Sequence, residues 1–289
     1  MTSPDIRVTD WTIPGSDDQP IYGNTHWPSD GGEVIGALIC CHGFKGYKDY
    51  GFFPLLCDHA ARRGLGAIRF NFSHSGMTNT TDTFERAELF EKDRWGRQIT
   101  DLRAVFEDAA PMLALPRVVF GHSRGGVTST LFAGHDIPSQ LAGLITAAAP
   151  DYACKMDDLV RDQLRAEGRL LSPSGRTGQK LYVGLDWLEE IERDPELYDP
   201  VLAAAQIKCP MLILHGDEDE TVPLDCATSL HKAAMPHGEL AIIEGGNHVF
   251  NCPNPLPSDT SLDTCPTQTR ELIEKTIEFA VRCCINARG

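Results

Sequence analysis

Residues Arg117–Gly126 read RVVFGHSRGG. RVVF has the β-branched and aromatic content of a short strand, and from Arg124 to Ala133 the chain reads as a helix. Between them lies G-x-S-x-G, with Gly121, Ser123 and Gly125 at the fixed positions. Three such common residues fall in that spacing by chance in roughly one chain in ten of this length, so the pentapeptide alone decides little. Its place between strand and helix decides more. A serine at a sharp strand-to-helix turn has strained backbone geometry, and side chains two residues to either side would clash there. Glycine at both positions removes the clash. The following helix turns its amino terminus toward the serine, which favours developing negative charge. Ser123 is the candidate nucleophile.

Outward from this turn, strand and helix patterns alternate. Upstream, EVIGALICC (Glu33–Cys41) is a continuous apolar run, as expected of a strand buried on both faces. Phe53–Arg63 reads as a helix stopped by Gly64, and Gly66–Phe72 as a second strand. Phe84–Ala110 is mostly helical, with Ile99, Leu102, Val105, Phe106 and Ala109 on one face. Downstream come strand Leu141–Ala149, strand Pro210–His215, helix Pro223–Met235, strand Glu239–Glu244 and helix Thr267–Cys284. In that last helix Ile273, Ile277 and Ala280 form the buried stripe, and Glu271–Lys275 and Glu278–Arg282 are favourable surface pairs. Ile6–Trp11 and Ile21–Trp27 alternate apolar and polar residues and read as an antiparallel edge hairpin. The pattern predicts an α/β fold: one mostly parallel, doubly wound sheet with helices on both faces. Residues 1–289 are expected to form a single domain. Asp151–Ala205 breaks the rhythm, being charged and interrupted by Pro173, Gly175, Gly178, Pro195 and Pro200. It is expected to be a lid insertion of short helices and loops above the carboxyl ends of the strands, where such sheets bind ligands. Its Trp187, Tyr182 and Leu185 form either an acyl pocket or the insertion's own core.

A serine hydroxyl needs a base to take its proton and a third group to orient that base. With a nucleophile in this setting the order along the chain is serine, acid, histidine. The acid lies within HGDEDETVP, His215–Pro223, where Asp217, Glu218, Asp219 and Glu220 are all carboxylates, and Asp225 follows. The base candidate is His248 in EGGNHVF, where Gly245 and Gly246 let the loop turn back over the sheet. Two backbone donors must face the oxyanion: the N–H of Arg124, and one from the loop His42-Gly43-Phe44-Lys45-Gly46, assigned to Phe44. His42 in that loop and His74 in NFSHSGM are further candidates for substrate contact. The Arg124 side chain is expected to pair with a carboxylate of the lid or an anionic substrate group.

CHGFKGYKD, AIRFNFSHSG, GHSRGG, PMLILHGDEDETVP and GGNH together resemble the successive landmarks of the α/β-hydrolase superfamily, over roughly residues 30 to 285. The likeness is to small esterases related to dienelactone hydrolases and cinnamoyl or feruloyl esterases. It implies a triad of Ser123, Asp219 and His248, with Phe44 and Arg124 at the oxyanion hole. It selects Asp219 because the acid stands at G-x-x-D before a V-P helix start; Asp217 and Asp225 are the alternatives. Dienelactone hydrolases proper carry cysteine where this chain has Ser123, and dehalogenases carry aspartate. The implied activity is hydrolysis of a small-molecule carboxylic ester through an acyl-enzyme, without cofactor or metal. Peptidase or acyltransferase chemistry on the same residues is the alternative, followed by a non-catalytic binder.

Composition excludes other classes. With 26 basic against 41 acidic residues the formal charge is -15, which repels phosphate backbones and anionic lipid. Neither nucleic acid nor membrane is an expected partner, and oligomeric state is left open. MTSPDIRVTD lacks the basic and apolar regions of a secretory leader, and no apolar run reaches transmembrane length. The expected location is the cytoplasm. The ten cysteines form no CxxC pair and are expected to be reduced and structural. Cys252 and Cys265, which bracket a proline-rich loop, are the pair to test for a disulfide.

Overall fold

A computed structural model describes residues 5–29, 33–81, 83–108 and 114–289. Eight strands form the main sheet: β1 (Ile6–Pro14), β2 (Pro20–Pro28), β3 (Gly36–Cys41), β4 (Leu65–Asn71), β5 (Arg117–His122), β6 (Leu141–Ala147), then, after a short separate pair β7 (Arg169–Leu171) and β8 (Tyr182–Gly184), β9 (Met211–Gly216) and β10 (Gly238–Ile243). Their spatial order is β1-β2-β4-β3-β5-β6-β9-β10. The six strands from β4 to β10 run parallel, while β1 and β2 form the expected antiparallel hairpin at the edge. The chain moves outward from β3 to β4, then crosses to β5 on the other side of β3. This reversal opens a crevice at the carboxyl ends of β3 and β5, where Ser123 lies.

The helices are α1 (Phe53–Arg62), α2 (Ala87–Glu91), α3 (Trp95–Asp108), α4 (Arg124–Asp136), α5 (Asp158–Glu167), α6 (Leu185–Arg193), α7 (Pro200–Gln206), α8 (Leu224–Ala234) and α9 (Thr267–Asn286). Strand alternation divides them between two cores. Leu38 and Cys40 of β3 face one side, with Leu56 of α1 and Leu272, Ile273 and Ile277 of α9. Ala37, Ile39 and Cys41 face the other, with Leu102, Val105 and Phe106 of α3, Phe132 of α4 and Leu230 of α8. Covering both faces explains why β3 is apolar throughout: all six of its residues are buried.

The segment expected as one long helix is two, α2 and α3, separated around Asp93, a buried carboxylate. Ala109 and Ala110 of that expectation lie outside the described residues. In α9, Lys275 pairs with Glu271 at 3.4 Å. The expected Glu278 pairing of Arg282 gives way to a contact across to β10, where Glu239 lies 2.6 Å from its guanidinium.

Residues 151–206 form α5, the β7–β8 ribbon, α6 and α7. The short ribbon was not anticipated: its partly exposed residues pair only with each other. Trp187 and Leu188 of α6 pack with Leu164 of α5, Trp95 of α3 and Val127 and Leu131 of α4. Trp187 thus belongs to a core that fastens this segment to the helix after Ser123, and Leu185 packs on its margin. Tyr182 lies under the Arg169 guanidinium, 4.1 Å from its ring centroid.

Among the described residues no helix is long and apolar enough to cross a membrane. All ten cysteines are free thiols, Cys252 and Cys265 among them.

Candidate active site

Ser123 sits between β5 and α4 with φ 54° and ψ -122°, a backbone conformation that a non-glycine residue rarely adopts. Its N–H donates to Ala147 O at 2.8 Å, and its carbonyl accepts from Gly126 N–H at 2.8 Å. A β-carbon on Gly121 would lie 2.3 Å from Gly125 O, and one on Gly125 would lie 2.4 Å from Cys41 O. The two motif glycines are therefore required by backbone approaching backbone, on both sides of the turn.

His248 links Ser123 to Asp219. Its Nε2 is 3.0 Å from Ser123 Oγ and its Nδ1 is 2.9 Å from Asp219 Oδ2. The loops carrying Asp219 and His248 are stitched together. Glu218 N–H donates to Gly246 O at 3.0 Å, and Gly245 N–H donates to Asp217 Oδ1 at 2.7 Å. Close passage of the two loops needs Gly216, where a β-carbon would lie 2.0 Å from Gly246 O.

This geometry separates the four clustered carboxylates. Asp219 has a side chain with 0% exposure, and its Oδ1 accepts from the Thr221 and Val222 N–H groups at 2.8 and 2.9 Å. Burial alone would raise its pKa, but the bonds from His248 and the two amides outweigh burial and hold it below the usual value. Asp217, Glu218 and Glu220 are exposed. Asp225 lies in the first turn of α8.

His122, the variable residue before Ser123, was not singled out from sequence. It is buried, and its Nε2 donates to the His248 carbonyl at 2.8 Å, fixing the backbone of His248. Burial pushes its pKa down to about 3, so the ring stays neutral. Its signal was only its place within the motif.

The loop after β3 turns tightly, with Gly46 N–H donating to Gly43 O at 3.0 Å. A β-carbon on Gly43 would lie 3.0 Å from that of Ser123, so this loop runs alongside Ser123. The N–H groups of Phe44 and of Arg124, the first residue of α4, have no acceptor among the described residues. The carboxylate expected from residues 151–205 is not the ion-pair partner of the Arg124 side chain, although Glu190 of α6 is close enough to favour its charge. The Arg124 ion pair, at 3.1 Å, is with the buried Asp93 just before α3.

His42 and His74, considered for substrate contact, are both buried with their rings turned to protein. His42 Nδ1 donates to Gly43 O at 2.9 Å while Nε2 accepts from Phe72 N–H at 3.4 Å. His74 Nδ1 lies 2.8 Å from Ser73 Oγ, in a network with Asp101 and Asp17. The cavity beside Ser123, of about 180 Å³, is lined instead by Phe44, Lys45, Tyr50, Phe53, Arg176 and His248, among others. Among the described residues no group of His, Cys, Asp and Glu side chains is placed to hold a metal ion.

Residues 38–259 match the sequence model of the alpha/beta hydrolase family, and the chain belongs to that family. It is 23% identical over 228 residues to the human serine hydrolase BPHL, covering 75% of this chain and 74% of that protein. It is 25% identical over 167 residues to human mitochondrial palmitoyl-protein thioesterase ABHD10, covering 56% of this chain and half of that protein's length. The structure of Est1E from Butyrivibrio proteoclasticus with ferulic acid superposes with a TM-score of 0.68 at 17% identity, covering 94% of this chain and 98% of that one. The family and fold make the chain a hydrolase.

Proposed function

We propose that the chain is a carboxylic-ester hydrolase with Ser123 as nucleophile, His248 as base and Asp219 as the orienting acid. The observation that carries the reading is the continuous hydrogen-bond chain from Ser123 Oγ through His248 to Asp219, with Ser123, His248 and Phe44 lining one cavity. Ser123 Oγ attacks the ester carbonyl while His248 Nε2 accepts its proton. The carbonyl oxygen becomes an oxyanion held by the Phe44 and Arg124 N–H groups at the amino terminus of α4. His248 returns the proton to the departing alkoxide, leaving an acyl-serine. Water, deprotonated by the same imidazole, releases the acid. The buried, ionised Asp219 holds the imidazole's tautomer and stabilises its cation.

The cavity's volume, about 180 Å³, is below the roughly 300–1,000 Å³ of common small-molecule sites, which favours a short substrate. We read residues 1–289 as one domain, with 151–205 as a cap inserted into it. The cap reading is supported by Ser174, Gly175 and Arg176, which form part of the cavity wall. The ten free thiols support a reducing, cytoplasmic setting.

A fluorophosphonate probe should label the protein, and Ser123→Ala should abolish both labelling and hydrolysis of p-nitrophenyl acetate. Full activity in that variant would overturn the assignment. Product analysis with added amine or alcohol separates hydrolysis from acyl transfer.

A further inference from the structure

Among the described residues, two cations line the cavity beside Ser123 and no aspartate or glutamate does. In a chain whose formal charge is -15, this is a local reversal of sign. The cations are Lys45, from the loop that carries Phe44, and Arg176, from the inserted segment.

Lys45 stands there at a conformational cost. Its φ is 56°, in the left-handed region that favours glycine. Its ammonium donates to Pro173 O at 2.8 Å and lies 5.2 Å from the Phe44 ring centroid. One N–H is used, which leaves two for a ligand. Partial burial lowers its pKa.

The Arg176 guanidinium lies 4.5 Å from the ring centroid of Tyr47 and 5.3 Å from that of Phe84. It donates to Thr81 O and, at 3.6 Å, to Met77 Sδ. Three of its five N–H groups remain. Among the described residues neither cation is paired with a carboxylate. Phe44, Tyr50 and Phe53 line the same cavity and give it apolar wall.

An anion bound here would take N–H groups from both the loop after β3 and the inserted segment, which Lys45 and Pro173 already join. We infer that the substrate is a short ester bearing a carboxylate, with that carboxylate held by Lys45 and Arg176 while the ester carbon sits at Ser123. The inference rests on the ester-hydrolase reading and deepens it. It requires no further reactant: the carboxylate is bound, and only the ester bond is broken.

The test compares two matched pairs of esters. Monomethyl adipate against methyl hexanoate places the charge on the acyl side, and 5-acetoxypentanoate against pentyl acetate places it on the alcohol side. The wild type should favour the charged member of at least one pair by about tenfold or more in kcat/KM, the scale of a charge-assisted hydrogen bond. In Lys45→Gln and Arg176→Gln the ratio within that pair should fall toward one, and in Arg176→Glu below one. High salt should shrink the wild-type ratio. Equal or poorer turnover of the charged member in both pairs, with Ser123→Ala inactive on all four esters, would overturn the carboxylate site and leave the hydrolase reading standing. A wild-type ratio untouched by all three cation variants would also overturn it. Failure of the fluorophosphonate to label the wild type would sink the hydrolase reading itself, and the substrate class with it.

Discussion

The guanidinium of Arg124 lies over the ring of Phe44, 5.4 Å from its centroid. The two residues assigned to donate backbone N–H groups to the oxyanion are thus packed against each other through their side chains. The same guanidinium lies 4.7 Å from the Trp95 ring and 3.1 Å from Asp93. One buried cation therefore ties the loop after β3 to the start of α4 and to the entry of α3.

Breaking this pair from the Asp93 side leaves the buried Arg124 guanidinium with only the weaker influence of Glu190. Asp93→Asn should cost about 3–5 kcal/mol in stability, measured by denaturant unfolding. The double replacement Asp93→Leu with Arg124→Met should recover much of it, because an apolar pair of similar size carries no desolvation penalty. A single variant as stable as the wild type would show that the ion pair contributes little.

The carboxylate cluster gives a second contrast. Asp219→Asn removes the charge facing His248 and lets the imidazole adopt the wrong tautomer, so kcat should fall about ten-thousand-fold. Asp217→Asn disturbs only an exposed bond to the Gly245 N–H, and should cost less than about tenfold. Steady-state kinetics on one ester decides between them. Equal losses would mean that Asp219 is not the orienting acid.

Gly125→Ala places a methyl group 2.4 Å from Cys41 O, and Gly121→Ala places one 2.3 Å from Gly125 O. Backbone atoms of β3 and of the first turn of α4 cannot step aside cheaply. Each variant should lose more than about 3 kcal/mol or fail to fold, as read by thermal unfolding. Gly175→Ala is a control, since a β-carbon there meets nothing within 4 Å.

Stability should fall with acid for an identifiable reason. Burial pushes the pKa of His42 down to about 4 and that of His122 to about 3, from an ordinary 6.5. The folded chain holds both rings neutral, whereas the unfolded chain protonates them. The stability they contribute is full above pH 6.5 and is lost as pH falls toward those lowered values. Each histidine adds about 1.4 kcal/mol per pH unit to that loss. Unfolding free energy measured against pH tests this, with His122→Gln expected to remove one proton from the slope. An unchanged slope in that variant would show that His122 is not buried neutral.

The sequence by itself determined the order of strands and helices, the turn at Ser123, and the serine, acid, histidine succession. These are local or ordinal properties. A strand buried on both faces must be apolar along its length, and a strand-to-helix turn with a side chain at its apex must have room on either side. The hairpin of β1 and β2 was equally legible, because one half-buried face imposes alternation. The residues themselves did not single out one of four neighbouring carboxylates; the family resemblance pointed to Asp219, and its contact with His248 depends on how the loops after β9 and β10 fold over each other. Tertiary structure alone gave Arg124 its partner. Asp93 is 31 positions upstream, with nothing in its neighbours to distinguish it, and becomes a partner only when α3 packs against α4. Trp187 read equally well as pocket or core until α6 was seated on Val127 and Leu131. Lys45 and Arg176 lie 131 residues apart and share a cavity wall only after the inserted segment returns to the loop after β3. Chain order is written in the sequence, but contact across such distances is set by packing of the whole.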